Sequence, residues 1–527
     1  MVRGCGALLA GLLSVSLSAQ ATIQDVRRAF DLGQYFTAAR IAFNDANRSS
    51  GPAEKAMSYA WAAHGLVRAG LDQSALYFFI RAIQIRDRAA SLKALELAPL
   101  FIERAGTDFL KRFLLQYTRP EDYPSEARNA FFLAVARDRL SQGDDAGAVK
   151  AASEVAPSNA LYPLALQIRG AAQVMLKQPK SALDDFKLCE QKAPERDNAR
   201  DLQSPELSGR WNEMKRSSAS DLRARCIADQ ARVLYELGNF EEADRRYDRI
   251  PKSSFVWTDT LFEHAWNSYS RGEYNRALGK LVSYRSPSLR FVFNSEVDVL
   301  MAQSYLALCL YEDAGKVIEG YNRDYGALAK EVKAFLDSHP TDARAYFNLG
   351  RKALQEKLHS ENRMNRFLNR FVRSPNFQAL SLSLDRVSAE RAAIQRLDAL
   401  HPETRTGPTA GFPGFLNATL DWRVRSIQLL GGVFVRNSMV DTYQVLVSDL
   451  EKAQFMKIDA LSHQKKRLQD PMGAQALERT RGNRTPERRD DQYLWSFNGE
   501  FWNDEIGDYV FALDSECAGV KEGANAK

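Results

Sequence analysis

The sequence predicts an all-α protein: a right-handed solenoid of stacked helical hairpins, then a helical C-terminal region with one long helix. Three observations carry this. Ala243 and Ala277 stand 34 residues apart in similar surroundings, a period of stacked helical units rather than of one central core. A glycine stands five residues before each of them, as Gly238 and Gly272. Between these marks, apolar residues follow the three- and four-residue steps of an amphipathic helix.

The chain has 527 residues, 45% hydrophobic and 26% charged, an ordinary globular balance. Met1-Val2-Arg3, the apolar run Ala7 to Leu17 and Ala19-Gln20-Ala21 have the layout of a cleaved export signal. Residues 1–21 are therefore expected to be removed, leaving Thr22 first; the alternative is a buried N-terminal helix. Cys5 precedes the apolar run, so it is not placed for acylation. No later stretch reaches the ~20 apolar residues of a membrane-spanning helix. A periplasmic protein, soluble or peripheral to the envelope membranes, is the expectation. The formal charge of +6, reduced by one without Arg3, gives little reason to expect nucleic acid as a partner.

Repeats are expected over residues 22–194, marked by Gly33 and Ala38, Gly70 and Ala75, Gly143 and Ala148, and Lys177 and Ala182. A degenerate unit fills Leu92 to Tyr117 with Gly106 at its turn. Residues 195–221 are polar and broken, and read as an inserted loop. The clearest repeats occupy residues 222–325. They run Ala231, Gly238, Ala243, Tyr247, then Ala265, Gly272, Ala277, then Ala302, Cys309, Ala314. Small residues at Ala231 and Ala243 let paired helices approach, and Gly238 accepts φ > 0 at the turn. This is the tetratricopeptide pattern, in which each hairpin leaves an apolar face for the next. A helical extension follows over 326–402, then a loop and a long helix over 403–470. Gly431-Gly432 in that helix mark a bend or a close neighbour. Residues 471–492 read as a basic mobile loop. Residues 493–527 read as an aromatic segment that packs back on the array.

The run Ile250-Pro251-Lys252-Ser253-Ser254-Phe255-Val256-Trp257, with Leu261-Phe262-Glu263-His264-Ala265-Trp266, Arg276-Ala277-Leu278-Gly279 and the late Trp495 to Glu505 block, resembles exported tetratricopeptide proteins of gliding and predatory bacteria. These include proteins associated with adventurous gliding motility. The resemblance implies a periplasmic scaffold in an envelope complex whose partners are envelope proteins or peptides. It assigns no functional residues.

On the array, Arg232, Glu236, Asn267, Arg271 and Gln303 are first-helix residues that the packing pattern does not claim, hence candidates for a partner groove. Their plain alternative is a solvated helix face. Arg363, Arg366, Arg370 and Arg373 form a basic stripe, suited to an anionic membrane surface, lipopolysaccharide or an acidic partner, or else an ordinary exposed face. Lys465, Lys466, Arg467 and the arginines of 481–489 raise the same choice.

Without Cys5 four cysteines remain, open to three pairings. Hairpin stacking favours Cys189 with Cys226. That leaves Cys309, at a turn position, with Cys517, closing a loop that contributes roughly 4–5 kcal/mol in the chain-entropy model. The alternative is four buried thiols. Catalysis, cofactor and metal find no support: no H-E-x-x-H, Walker or nucleophile-elbow motif occurs. His359-Ser360-Glu361 and His401-Pro402-Glu403 lack the C-x-x-C of a zinc deaminase. His264 reads as a packing residue. Asp504, Glu505 and Asp508 read as carboxylates at a helix N-terminus rather than cation ligands.

Overall fold

The computed structural model describes residues 22–105, 107–193, 205–252, 254–356, 362–400, 411–469, 500–502 and 504–517. Among them the regular elements are helical and no strand occurs. The expected signal, the turn at Gly106, the two H-x-E triplets, the basic segment 471–492 and Trp495 lie outside the described residues. The chain divides into two compact units. The first is Met1–Leu95 with Ala392–Asn417, and the second is Glu96–Arg391 with Ala418–Lys527.

The first unit holds α1 (Ile23–Asp31), α2 (Tyr35–Arg48), α3 (Pro52–Arg68), α4 (Asp72–Gln84) and α5 (Arg88–Leu95). Its hairpins turn at Gly33 and Gly70, with φ of 76° and 80°. Rings from the second segment close it: Phe412 lies 5.2 Å from Phe43, and Phe415 lies 4.7 Å from Phe43 and 5.7 Å from Phe78.

The second unit begins with α6 (Ala98–Ala105), α7 (Thr107–Tyr117), α8 (Arg128–Ser141), α9 (Asp145–Ser153), α10 (Tyr162–Met175) and α11 (Pro179–Lys192). It continues with α12 (Pro205–Glu236), α13 (Phe240–Asp248), α14 (Phe255–Ser270), α15 (Tyr274–Val282), α16 (Glu296–Ala307) and α17 (Tyr311–Ser338). Then come α18 (Ala343–Gln355), α19 (Arg363–Val372), α20 (Pro375–Leu400), which belongs to this unit up to Arg391, and α21 (Phe412–Gln469), which belongs to it from Ala418. From α8 to α17 each helix packs on its hairpin partner and each hairpin on the next.

One turn chemistry repeats through both units. At the end of α14, the Gly272 N–H donates to the Tyr269 carbonyl and the Glu273 N–H to the Ser268 carbonyl, the paired bonds of a Schellman stop. The same pair closes α12 at Gly238 and α16 at Cys309. Gly143, Gly238 and Gly272 have φ of 75°, 72° and 77°, while Lys177 and Cys309 hold 59° and 58° with a side chain attached. Five residues after each of these turns the alanine is fully buried: Ala148, Ala182, Ala243, Ala277 and Ala314 are all 0% exposed. Ala231, Ala265 and Ala302, on the first helices, are also 0% exposed. Glycine relieves the left-handed backbone and alanine allows the close approach, which is why the two recur at fixed spacing.

Some boundaries differ from expectation. The stretch read as a loop, 195–221, is helical from Pro205, because α12 starts there. Proline at a first helical position lacks only an N–H that has no intrahelical partner anyway, and serine carries only a modest cost in a helix interior. The array does not close near Tyr325, since α17 runs on to Ser338. In the region 403–470, read as a loop and a long helix, the helix is already under way at Phe412 and Pro413, in the first turn of α21. The buried seam of α21 within the second unit includes Leu420, Arg423, Ile427, Val435, Met439, Leu446, Asp449 and Ala453. Leu430 and Val433 lie outside it, 38% and 44% exposed. At Gly432 an added Cβ would fall 1.8 Å from the Ala343 carbonyl oxygen, so here the glycine admits a neighbouring backbone.

Candidate functional site

Polar side chains of the central hairpins are tied across hairpin boundaries. Arg232 on α12 donates to both oxygens of Glu263 on α14, at 2.9 and 2.7 Å, and to Asp229 at 2.7 Å. Glu263 also accepts from the Tyr247 hydroxyl, and Asp229 from Gln167 of α10. Burial pushes the Asp229 carboxyl up, opposed by Arg232. Against burial, Glu263 and Asp229 hold the Arg232 guanidinium charged beyond its ordinary range.

A second group bridges the same two hairpins. His264, stacked on Tyr247 with ring centroids 5.3 Å apart, lies 2.5 Å from Asp244 through Nε2. Arg271 reaches Asp244 at 3.5 Å and Glu273 at 2.9 Å. Burial would raise Asp244, but His264, Lys280 and Arg271 bring it down to about 2. Burial lowers His264 below 6.5, and Lys280 adds to that.

Of the residues expected to line a partner groove, Arg232 and Arg271 therefore serve as inter-helix ties. Asn267 is 0% exposed and donates to the Phe240 carbonyl. It is a packing residue, because it is fully buried and its amide is spent on the facing helix. Gln303 is partly buried, and Glu236 stays at the surface, 3.8 Å from Lys177.

Residues 504–517 lie on this array as a strap. The Phe511 N–H donates to the Asn275 carbonyl, and the Asn275 side chain grips Leu513 at both its N–H and its carbonyl, at 3.1 and 3.0 Å. The Gly507 N–H donates to Ser283, the Glu516 N–H to the Leu308 carbonyl, and Lys252 pairs with Asp508. Ile506 is buried in the cluster of Ala231, Leu234, Trp257 and Leu261, and Phe511 and Leu513 pack beside Leu278 and Leu281. Cys309 and Cys517 are joined, Cα atoms 5.1 Å apart, as are Cys189 and Cys226 at 5.9 Å. Asp504, Glu505 and Asp508 lie in and beside a turn, not at a helix N-terminus. Among the described residues no group of His, Cys, Asp or Glu is placed to hold a metal ion.

The second unit holds a cleft of about 640 Å³. Its walls are the 284–294 connection, α16, α17 and α19. Arginine and lysine outnumber carboxylates along it: Arg285, Arg290, Lys316, Arg323, Arg363 and Arg366 against Asp298 and Asp324. Asp324 pairs with Arg363 at 3.1 Å and Arg323 at 3.3 Å, and Asp298 with Arg285 at 3.7 Å. Burial pushes the Asp298 carboxyl up. Phe293, Tyr321 and Tyr325 form an aromatic floor, with centroids 5.8 and 4.6 Å from Tyr325.

The basic stripe divides here. Arg363 and Arg366 line the cleft, the Arg370 charge acts on Asp259, and Arg373 donates to Asn369. The cleft itself was not legible in the sequence, since its residues are scattered from 284 to 366 on separate elements. Only the stripe spacing pointed toward it.

No family model and no curated protein matches the chain. Among solved structures, the tetratricopeptide-repeat domain of P58(IPK) is similar at 12% identity, covering 76% of this chain and 99% of that chain, with a TM-score of 0.17. A likeness at that TM-score adds nothing to the fold or the function, which rest on the hairpins and side chains described above.

Proposed function

We propose that the chain is a non-enzymatic exported scaffold that mediates protein–protein contacts in a bacterial cell-envelope complex, of the kind that gliding motility uses. The observation that carries this reading is the cross-tied hairpin array. Its titratable side chains bridge neighbouring helices instead of converging on a reaction centre, and a series of stacked hairpins offers a long, stiff binding surface. Two cysteine pairs at disulfide distance fit an oxidising compartment, in keeping with the export signal read from residues 1–21.

The experiment is affinity capture from crosslinked envelopes with the mature chain, tail intact. The expected result is a reproducible set of envelope proteins that a chain unfolded by reduction and heating does not retain. Turnover of a small molecule by the purified mature chain, with no protein captured, would overturn the reading. A peripheral role for the arginine stripe predicts flotation with anionic liposomes at low salt. With Arg366 turned to the cleft and Arg363 paired with Asp324, flotation is not the expected outcome.

A further inference from the structure

We propose that the cleft between the 284–294 connection, α16, α17 and α19 is a binding site for the carboxylate side chains of an acidic peptide segment on a partner protein. This rests on the scaffold reading and supplies the chemistry of its partner.

Charge is the first support. Cations exceed carboxylates along the walls six to two, in a recess whose volume falls within the ~300–1,000 Å³ range of ligand sites. One donor is left over by the protein's own bonding: the Nε of Arg366 is buried and has no hydrogen-bond partner among the described residues. A buried donor without an acceptor costs free energy that an incoming acceptor recovers. Burial and the nearby carboxylates keep the Tyr321 and Tyr325 phenols protonated, hence able to donate. A carboxylate matches this donor set, since it accepts from several N–H and O–H groups at once and pairs with guanidinium in a planar fork. The aromatic floor of Phe293, Tyr321 and Tyr325 gives the intervening peptide an apolar surface, which a bare inorganic anion would not use.

The test uses the mature chain and a fluorescent peptide of alternating Glu and Asp, its Gln/Asn isostere, citrate and inorganic phosphate. The acidic peptide is expected to bind with an affinity that falls as salt rises, and the isostere to bind at least roughly tenfold more weakly. Arg366→Gln should weaken the acidic peptide by roughly tenfold or more, the loss of one charge-assisted bond. Should that variant fold poorly, Arg323→Gln keeps the test intact, because that side chain is 75% exposed and, among the described residues, pairs with adjacent Asp324.

Equal binding of peptide and isostere, no binding of the acidic peptide, unchanged binding by the folded variants, or binding of citrate and phosphate alone would each overturn the inference. Capture from envelopes separates it from the scaffold reading. Partners retained at wild-type level by both variants leave the scaffold standing and the cleft assignment refuted. Peptide binding without any captured protein does the reverse.

Discussion

Gly279→Ala should detach the strap from the array while leaving the hairpins folded. A Cβ at position 279 would lie 1.8 Å from the Tyr509 carbonyl oxygen, 2.4 Å from its carbon and 2.9 Å from Val510 Cα. Ordinary contact needs about 3.5 Å, so the strap must retreat by well over an ångström. The bonds at risk are Gly507 N–H to Ser283 at 2.8 Å, Phe511 N–H to the Asn275 carbonyl at 3.1 Å, and the two between Asn275 and Leu513 at 3.1 and 3.0 Å. At about 0.5–1.5 kcal/mol each, their loss costs about 2–6 kcal/mol of local stability. Hydrogen exchange read by mass spectrometry over residues 505–517 reports it directly, with protection expected to fall roughly 30-fold or more. Gly315→Ala is the control: nothing lies within 4 Å of its added Cβ, and a helical Gly→Ala change alone stabilises by ~0.5–1 kcal/mol. Unchanged protection of residues 505–517 in the Gly279→Ala protein would refute this placement of the strap.

Gly238→Ala, at φ 72° with open space around the new Cβ, should cost about 1–2 kcal/mol through backbone strain alone, and Lys177→Gly, at φ 59°, should stabilise by about 1 kcal/mol; thermal melts of both check the pair. Graded dithiol treatment with alkylation mapping should open Cys309–Cys517, which is partly exposed, before Cys189–Cys226, both 0% exposed. Stability should also fall with acid in two windows. His264 has a folded pKa below 6.5 because burial and Lys280 disfavour its charge, so the unfolded chain takes up the proton first and stability declines as pH drops below about 6.5. Asp244, brought from 3.8 to about 2, contributes stability that is present above pH 3.8 and lost as pH falls toward about 2. His264→Gln should flatten the first window in urea titrations at stepped pH and also shrink the second, because His264 is the largest of the groups that lower Asp244. Asn267→Ala should cost about 0.5–1.5 kcal/mol by removing its bond to the Phe240 carbonyl without changing envelope capture, which separates a packing residue from a groove residue.

The hairpins were legible because two physical demands recur at fixed spacing. A left-handed residue must end each first helix, and a small residue must sit where the second helix meets it. Gly238 and Ala243 announce both, and Cys309 could be placed at a turn although it is not glycine, since its neighbours hold the register. The pairing of Cys189 with Cys226 followed from stacking, and Cys517 then had one partner left.

What escaped the sequence depends on tertiary context. Asn267 looks like a surface amide until the Phe240 carbonyl is seen against it, and Arg232 looks free until Glu263 arrives from the next hairpin. The start of α12 at Pro205 was hidden because proline and serine read as breakers, while proline at a first helical turn is no obstacle. Arg423 and Asp449 sit in the buried seam of α21 as charged residues, Asp449 bound by Ser295 at 2.7 Å, so an apolar count along the helix misses them. The cleft gathers side chains from separate elements, and of these only Arg363 and Arg366 shared a readable spacing.

The central claim is that this array holds another protein in the envelope. A photo-crosslinking amino acid placed at Arg323 on the cleft rim, and separately at Arg245 on α13, tests it in living cells. Arg245 is 60% exposed and, among the described residues, engaged with Glu241 and Glu242 of its own helix, so it serves as the reference position. The account predicts a discrete adduct with an acidic envelope protein from position 323 and not from 245. Adducts of equal strength from both positions, or none from either, would contradict it.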